Sequence, residues 1–302
     1  MKQQTALFVG DVTFDLTMMV SQMPGPDEKV DATSAFESPG GVATNAAMAC
    51  AISGTDTQLV IAVGGDQQGA SIAQELGDLG ITTSISCQAG LTSRVVTIIE
   101  PHGEKRLFLY PGVSMYPTKA QAENIDLNQI GWVHSAVYNL ATAELLFSAC
   151  REANTPWSLD LEPSTFPSGI EDLRHCISGA ETVFCNERSI SMIGSSAVEL
   201  LIDMGAKSVI LTQGADGAML CHKNRRIPVT APPIQTRDTT GAGDCLAGWF
   251  VSEQLSGQSP EASLNTAVHA ASISCSLAGT KLSFPSREEV QKFQSSKTLE
   301  LK

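Results

Sequence analysis

The segment DTTGAGDCLAGW, residues 238–249, places two glycines and a carboxylate at the start of an apolar helical pattern. Gly241 and Gly243 carry no side chains that would cover their backbone N–H groups, and a helix start has unpaired N–H groups and a partial positive charge. Such a start is suited to hold a phosphate group. A carboxylate beside a phosphate repels it. Asp244 is therefore explained best if it takes a proton from an attacking hydroxyl while the N–H groups neutralise a transferred phosphoryl group.

A purely structural explanation stays open, in which Asp244 is a first-turn acid favoured by the helix dipole and the glycines form a tight turn. Two other phosphate-binding motifs are excluded. The spacing GAGDCLAG puts the third glycine too late for the dinucleotide motif G-x-G-x-x-G, which argues against an NAD-linked enzyme. The chain also has no Walker A motif, G-x-x-x-x-G-K-[ST].

The length and the net charge of the chain limit its number of domains and the kinds of partner that it can bind. The 302 residues are enough for one large α/β domain or two small ones, and the formal charge of -13 at pH 7 disfavours nucleic acid or an anionic membrane as partner. Asp11 and Asp15 interrupt the first apolar run, and no run reaches the ~20 residues of a membrane span, so we expect a cytoplasmic protein. The eight cysteines form no C-x-x-C pair, and we expect small core residues rather than a metal site.

Short apolar or β-branched runs alternate with stretches of helical periodicity. The predicted strands are residues 6–10, 58–63, 132–137, 157–161, 182–186 and 208–214. The predicted helices are residues 43–53, 66–79, 142–152, 195–204, 241–255 and 260–278, followed by one that Ser286 caps. This order predicts parallel βαβ units and a central sheet with helices on both faces.

Two regions depart from this alternation. Residues 28–38 alternate in polarity without a helical period, and residues 93–110 are typical of two strands joined at Pro101-His102-Gly103. We expect a small antiparallel sheet beside the main one. It forms either a lid over a site or an addition to the edge of the domain.

A second glycine cluster, SPGGVATNAAMACAISG at 38–54, opens another helix at Gly40-Gly41. Asn45 lies on its first turn, where the amide can face a polar ligand or simply cap the turn. Together, PGGVATNAA and DTTGAGDCLAG resemble the two signatures of the ribokinase-like (PfkB) family of sugar and nucleoside kinases, and the resemblance extends over nearly the whole chain. It implies a three-layer α/β/α fold with a mainly parallel sheet: a single kinase domain over 1–302, with lid strands from about 11–38 and 92–112.

The resemblance also implies roles for individual residues. Asp244 corresponds to the catalytic base, and the backbone of Gly241, Ala242 and Gly243 to the anion hole. The segment VGDVTFD, 9–15, resembles the one whose last acid bonds sugar hydroxyls. The predicted substrate contacts are Asp15, Asp11, Gly41, Asn45 and the lid residue Arg106, with Lys105 and Arg94 nearby. Asp11 is alternatively only a polar strand end, and the three lid cations are alternatively solvated.

Further positions are implied for ATP and for metal ions. The segment LTQGADGAML, 211–220, resembles the nucleotide-binding strand and turn, although an ordinary β-turn-β unit has the same pattern. The predicted ATP contacts are Asn186, Thr212, Gly214, Gly217, Asn265 and His269. Asp238, Thr240 and Ser283 match positions that hold a monovalent cation, typically potassium, which would order the loop before Asp244.

One family motif is altered. Many members carry N-x-x-E near the metal and phosphates, whereas NERS gives Asn186 and Ser189, with Glu187 offset by two. Either Glu187 or a water then completes the shell of the Mg²⁺ that accompanies ATP.

We therefore expect an ATP-dependent kinase that phosphorylates a hydroxyl of a keto-sugar or sugar acid, and that forms a homodimer through the lid as family members often do. A nucleoside kinase of the same family is the first alternative, and a non-catalytic binding protein or regulator the second. Cys245, at the same helix start, is either a thiol of lowered pKa or a small packing residue.

Overall fold

The structure is a computed structural model that describes residues 4–102, 104–277 and 279–300. Its strands are β1 (Thr5–Val9), β2 (Thr13–Val20), β3 (Ala32–Gly40), β4 (Thr57–Gly64), β5 (Thr82–Gln88), β6 (Ser93–Ile99), β7 (Lys105–Tyr110), β8 (Ile130–Ala136), β9 (Trp157–Leu161), β10 (Thr182–Asn186), β11 (Val209–Thr212), β12 (Ala218–His222) and β13 (Arg225–Val229). Its helices are α1 (Val42–Ile52), α2 (Gln67–Asp78), α3 (Lys119–Glu123), α4 (Leu140–Ala153), α5 (Arg174–Ile177), α6 (Glu187–Ile193), α7 (Ala197–Asp203), α8 (Ala242–Leu255), α9 (Pro260–Ser274) and α10 (Arg287–Glu300). Gly103 and Ala278, predicted in the lid turn and at a helix end, lie outside the described residues, as do the ends of the predicted domain.

The main sheet has nine strands in the order β13-β12-β11-β10-β9-β8-β1-β4-β5. The strands from β11 to β5 pair in parallel, whereas β12 and β13 are added antiparallel at one edge. The prediction of a mainly parallel sheet is confirmed. Because parallel strands end at the same edge of a sheet, the loops after β1, β9, β10 and β11 lie close together, where open α/β sheets bind ligands.

The short strand β1 shows how the layers form. Ala6 and Phe8 join a buried apolar cluster that contains α1 and α8, whereas Leu7 and Val9 join a second cluster that contains α4. Successive side chains of a strand point to opposite faces, so one strand contributes to the core on each side of the sheet. The three-layer α/β/α arrangement expected from the alternating pattern is thereby confirmed.

Helices α1 and α8 lie unusually close together. Every residue of α1 from Ala43 to Cys50 is buried, and a methyl group built on Gly248 of α8 would overlap the carbonyl oxygen of Ala46. A glycine at this crossing lets the two backbones approach. The first turns of α1 and α8, which carry the two glycine motifs, are therefore neighbours although about two hundred residues separate them in the chain.

Strands β3, β2, β6 and β7 form a second sheet in that order, which we call the lid. β2 pairs with β3 antiparallel and β6 with β7 antiparallel, but β2 and β6 are parallel. The prediction of a small antiparallel sheet is therefore wrong for the pairing of β2 with β6. The chain passes through β3, α1, β4, α2 and β5 between these two strands, and such a long crossover allows parallel pairing.

None of the described helices is both long and apolar enough to traverse a lipid bilayer.

Candidate active site

A cavity of about 480 Å³ lies between the lid and the ends of the parallel strands. The lid contributes six side chains to it: Thr13, Asp15, Val95, Thr97, Leu107 and Leu109. The opposite wall includes polar groups at the ends of β1, β9 and β10 and at the start of α8. We call this space the first cavity. The small sheet therefore covers this cavity, which is the first of the two positions proposed for it from the sequence.

A second cavity of about 750 Å³ adjoins the first. Its walls include the segment 231–234 and apolar side chains of α8 and α9 such as Leu246 and Val268. The residues that line both cavities are Asn186, Thr212, Thr239, Ala242 and Gly243. The start of α8 therefore stands at the junction of a polar cavity and a more apolar one.

Asp244 lies in the first cavity, on the first turn of α8. Its Oδ2 accepts a hydrogen bond of 2.8 Å from Nδ2 of Asn45. Burial raises the pKa of Asp244 well above its ordinary value, and the nearby charge of Asp160 raises it further, whereas the bond from Asn45 opposes the shift. A carboxyl group with this environment is suited to accept a proton near neutral pH.

The backbone at the start of α8 fits an anion. Gly241 precedes the helix in the left-handed region, with φ of 73°, and within the described residues no side chain caps this helix start. A Cβ at position 241 would stand 2.8 Å from Cγ2 of Thr280 and 3.3 Å from Phe284. Glycine thus meets both the backbone and the space requirement, and the helix start faces the two cavities instead of a side chain.

Asp11 lies in the first cavity and also holds the start of α1. Its carboxylate accepts N–H bonds from Val42 (2.9 Å) and Ala43 (3.0 Å), which are among the unpaired donors of that helix. Gly41, with φ of +102°, brings this turn close to the Asp11 backbone. Burial raises the pKa of Asp11 to about 7 despite these bonds. Asp11 therefore lines the cavity and also satisfies the start of α1, and its contact with a substrate stays a prediction.

Asp15 enters the same cavity from β2 of the lid. Its Oδ1 accepts a hydrogen bond from the hydroxyl of Thr13, and its carboxylate packs directly on Gly40, where a Cβ would overlap it. Burial raises the pKa of Asp15 to about 6. The first glycine motif thus makes room for the acid of the VGDVTFD segment.

Two more carboxyl groups, those of Asp160 and Glu162, lie in the first cavity and were not predicted from the sequence. Burial raises the pKa of Asp160 to about 8, and the charges of Glu162 and Asp11 contribute. The hydroxyl of Tyr138 donates to Oε2 of Glu162 at 3.0 Å. A signal was present, because these acids stand at the end of the predicted strand 157–161, at the sheet edge where ligands bind.

Four of the six predicted ATP residues line the second cavity: Asn186, Thr212, Gly214 and Gly217. The structure does not bring Asn265 or His269 to either cavity. His269 donates from Nδ1 to the carbonyl of Asn265 at 2.7 Å and packs on Phe293, on another side of α9. Helix α9 does line the second cavity, through Val268, Ala271, Ser272 and Cys275.

The altered N-x-x-E motif has a clear geometry. The backbone N–H of Ser189 donates to Oδ1 of Asn186 at 2.9 Å, and its hydroxyl donates to the carbonyl of Leu161, so that Ser189 is buried in the packing of α6. Glu187 is exposed and lines the second cavity. Glu187, which the sequence offered together with a water as the remaining Mg²⁺ ligand, is therefore on the cavity wall, whereas Ser189 is not.

The lid cations have partners outside the first cavity. Arg94 pairs with Asp66 at 3.4 Å, and Arg106 pairs with Glu100 and, at 3.2 Å, with Glu104. Arg106, expected to contact a substrate, does not line the first cavity, because side chains alternate along β7 and it lies on the face opposite Leu107 and Leu109.

Lys105 instead reaches the loop of residues 238–243, which we call the anion-hole loop. Its Nζ donates to Oδ1 of Asp238 and, at 2.8 Å, to the hydroxyl of Thr240. Asp238 is buried, which would raise its pKa, but bonds from Lys105, Gly279 and Thr240 hold the pKa below its ordinary value. Ser283, four residues after Gly279, is buried, and its hydroxyl donates to the carbonyl of Thr280 at 2.8 Å.

Cys245 is fully buried. Burial raises the pKa of its thiol, whereas the helix start led us to consider a lowered one. The suggestion of a reactive thiol is wrong, and Cys245 is a packing residue.

The chain was compared with known proteins. A family model described as "pfkB family carbohydrate kinase" matches residues 3–287. A ribokinase of Bacillus subtilis is 26% identical over 293 residues, covering 95% of this chain and 98% of that protein. An ATP-dependent ribose-1-phosphate kinase of Halopiger xanaduensis is 24% identical over 292 residues, covering 96% and 97%. The solved structure of Arabidopsis thaliana ribokinase, complexed with ribose and ATP, superposes with a TM-score of 0.80 at 22% identity over 97% of this chain and 98% of that one.

Proposed function

The chain belongs to the pfkB family of carbohydrate kinases and is a sugar kinase that uses ATP, and on that premise we propose how its own residues carry out the transfer. In this proposal Asp244 is the general base, and the backbone of Gly241, Ala242 and Gly243 is the anion hole for the transferred phosphoryl group. ATP occupies the second cavity, and the sugar occupies the first cavity beneath the lid.

One observation carries the proposal: the start of α8 lines both cavities, while Asp244, one residue further on, faces only the first. A phosphoryl group that leaves a donor in one cavity for an acceptor in the other must pass this helix start. The N–H groups there oppose the charge of the phosphoryl group. The carboxylate is then positioned to remove the proton from the acceptor hydroxyl as that oxygen bonds to phosphorus and the bond to the leaving oxygen breaks.

The surroundings of Asp244 fit that role. Its raised pKa means that it holds a proton more strongly than a solvated carboxylate, so it is a stronger base. Asn45 orients it through the 2.8 Å bond, and the Oδ1 atom of Asn45 is buried with no hydrogen-bond partner among the described residues. A buried acceptor without a donor is unfavourable, so a sugar hydroxyl that donates to Oδ1 would satisfy it.

The charges of the first cavity favour a neutral substrate. Five carboxyl groups line it, and among its described lining residues there is no lysine, arginine or histidine. A sugar acid would bring a further negative charge into this environment, whereas the hydroxyls of a neutral ketose can donate to the carboxylates. Of the two substrate types expected from the sequence, we therefore propose the keto-sugar. The relatives named ribokinase act on another neutral sugar, which agrees with this charge argument.

Mg²⁺ fits the junction of the cavities as a companion of ATP. Within the described residues there is no cluster of three or more His, Cys, Asp or Glu side chains that could hold a metal ion alone. Mg²⁺ is commonly bound by one or two protein oxygens together with phosphate oxygens and water, and Asn186 and Glu187 provide such oxygens on the wall of the second cavity. When bound, the ion neutralises phosphate charge.

We also propose that the lid forms a homodimer interface. β7 is an edge strand of the lid, and it exposes the apolar side chains of Leu107 (62%), Phe108 (54%), Leu109 (52%) and Tyr110 (52%). Unpaired edge strands with exposed apolar side chains are suited to association. Light scattering on the purified protein measures this directly, and a monomer at assay concentration would contradict it.

The function is tested by measuring ADP release with a panel of acceptors: fructose and ribose as neutral sugars, gluconate as a sugar acid, and adenosine as a nucleoside. We expect the highest kcat/KM with a neutral sugar and, within that class, with the ketose. Higher kcat/KM with gluconate would contradict the charge argument, and with adenosine would establish the nucleoside kinase alternative. Acceptors that raise the melting temperature without any ADP release would instead support a non-catalytic binding protein.

A further inference from the structure

Lys105 joins the lid to the anion-hole loop. It is the first residue of β7, and residues 105, 107 and 109 share one face of that strand because side chains alternate. Leu107 and Leu109 line the first cavity, so this face is turned toward the main domain. The ammonium group of Lys105 reaches Asp238 and Thr240 at the entrance to the helix start that carries Asp244.

The residues that the family resemblance implies for a potassium ion do not fit one here. Asp238 Oδ1 already accepts from Lys105 Nζ and from Thr240 N (2.9 Å), and Oδ2 accepts from the backbone N–H of Gly279 (3.0 Å). Ser283 donates its hydroxyl proton to a backbone carbonyl. A potassium ion would add a second positive charge beside one buried carboxylate.

The loop of residues 279–286, between α9 and α10, offers few free side-chain oxygens to an ion. Thr280 has a buried hydroxyl oxygen without a partner, the only such oxygen among the described residues of this loop. A single neutral hydroxyl does not replace the negative charge that Lys105 has already neutralised. The disagreement with the family pattern therefore has a specific cause, a cation supplied by the chain itself.

We propose that Lys105 is a positioning residue that takes the place of the monovalent cation: its ammonium group neutralises Asp238, holds the anion-hole loop, and does so only when the lid lies over the first cavity. This inference rests on the proposed function of the loop. Since the cation is attached to β7, closure of the lid over a sugar and ordering of the phosphate site become one event. Turnover of the natural protein then requires no potassium.

The arrangement also explains the burial of the pair. The Lys105 side chain is 21% exposed and that of Asp238 is 4% exposed. An exposed ion pair contributes little to structure, whereas removing one partner of a buried pair leaves the other charge uncompensated. Without Lys105, Asp238 needs another cation, and potassium in solution is the obvious replacement.

The test compares Lys105→Met, Lys105→Arg and the control Arg106→Met, which removes a neighbouring lid cation on the opposite face of β7. Initial rates are measured with the acceptor of highest kcat/KM in the panel described above, in potassium-free buffer and with added potassium at constant ionic strength. We expect the natural protein, Lys105→Arg and Arg106→Met to be indifferent to potassium. We expect Lys105→Met to lose about 10²-fold in kcat/KM without potassium, as for a misplaced catalytic group, and to regain activity saturably when potassium is added.

Three results would overturn the proposal: strong activation of the natural protein by potassium, an unchanged and potassium-indifferent Lys105→Met variant, or a loss that potassium does not restore. Hydrogen exchange of the amides of residues 238–243 in the ATP-bound protein gives a readout without turnover. We expect faster exchange in Lys105→Met and restoration by potassium. If no acceptor is phosphorylated by the natural protein, the proposed function fails, while this exchange experiment still decides the role of Lys105.

Discussion

Replacing Gly248 by alanine tests whether helix packing sets the geometry of the site. Gly248 is buried in α8, one turn beyond Asp244, and faces α1. The added methyl group would overlap the carbonyl oxygen of Ala46 and stand 3.0 Å from both Cβ of Ala49 and N of Cys50. These atoms belong to backbone or to a short side chain in a buried helix, so they cannot move aside by changing a rotamer.

The size of the effect follows from these contacts. Carbon atoms pack at about 3.5–4.0 Å, so the contact with Ala49 alone requires the helices to separate by roughly 0.5–1 Å. A displacement of that size is as large as the range of donor–acceptor distances that a hydrogen bond tolerates. It would therefore weaken the 2.8 Å bond between Asn45 and Asp244. We expect a loss of about 10²-fold in kcat and a decrease of about 1–3 kcal/mol in the free energy of unfolding from overpacking.

The assay measures kcat with saturating ATP and sugar, together with urea unfolding. The matched control is Gly77→Ala in α2, where the added methyl group meets nothing within 4 Å. It should keep kcat and gain up to about 0.5–1 kcal/mol from helix propensity. If Gly248→Ala keeps full kcat while it loses stability, the close approach of α1 and α8 does not set the catalytic geometry, and the reasoning is refuted.

Two further predictions concern ionisation. Burial raises the pKa of Asp11 to about 7 and that of Asp160 to about 8, above the ordinary value of 3.8. The folded unliganded protein therefore binds these protons more strongly than the unfolded chain does. Its stability decreases as pH rises from about 4 through these two pKa values. The melting temperature of Asp160→Asn should therefore fall less as pH rises from about 5 to about 8, between the pKa of the unfolded chain and that of the folded protein, and a slope equal to that of the natural protein would contradict the assignment. Maleimide labelling followed by peptide mapping should modify the exposed Cys87 and spare Cys245, whereas labelling of both at similar rates would contradict the buried, protonated thiol.

The sequence predicted well those features that depend on local pattern. Strand β1 and helices α1, α2, α4 and α8 lie within a few residues of their predicted limits. The apolar periods of α2 and α4 match the faces that they bury, whereas α1 and α8 are apolar and buried on nearly every side. The glycine motifs could also be recognised locally, because the backbone at Gly41 and Gly241 has a positive φ that favours glycine. Asp244 and Asn45 could be paired only through the family resemblance.

The features that were missed depend on contacts distant in sequence. β5 is half exposed at the edge of the sheet, and its polar sequence, TTSISCQ, lacks a buried run. The parallel pairing of β2 with β6 depends on a crossover that no local pattern specifies. The cavity face of α9 was assigned to Asn265 and His269, but packing on α8 turns Val268 and Ala271 to the cavity. Lys105 forms an ion pair with Asp238, 133 positions later in the chain, and no pattern in the sequence indicates this contact.

The most direct test of the central claim is the turnover of Asp244→Asn, measured together with its affinity for ATP. Asparagine has nearly the same shape, so the helix start and its free N–H groups remain, while the proton acceptor is lost. We expect kcat to fall by about 10²–10⁴-fold, as for a missing general base, with the dissociation constant for ATP unchanged or lower because a negative charge has been removed near the phosphates. Near-normal turnover in this variant would contradict the role of Asp244 as the base.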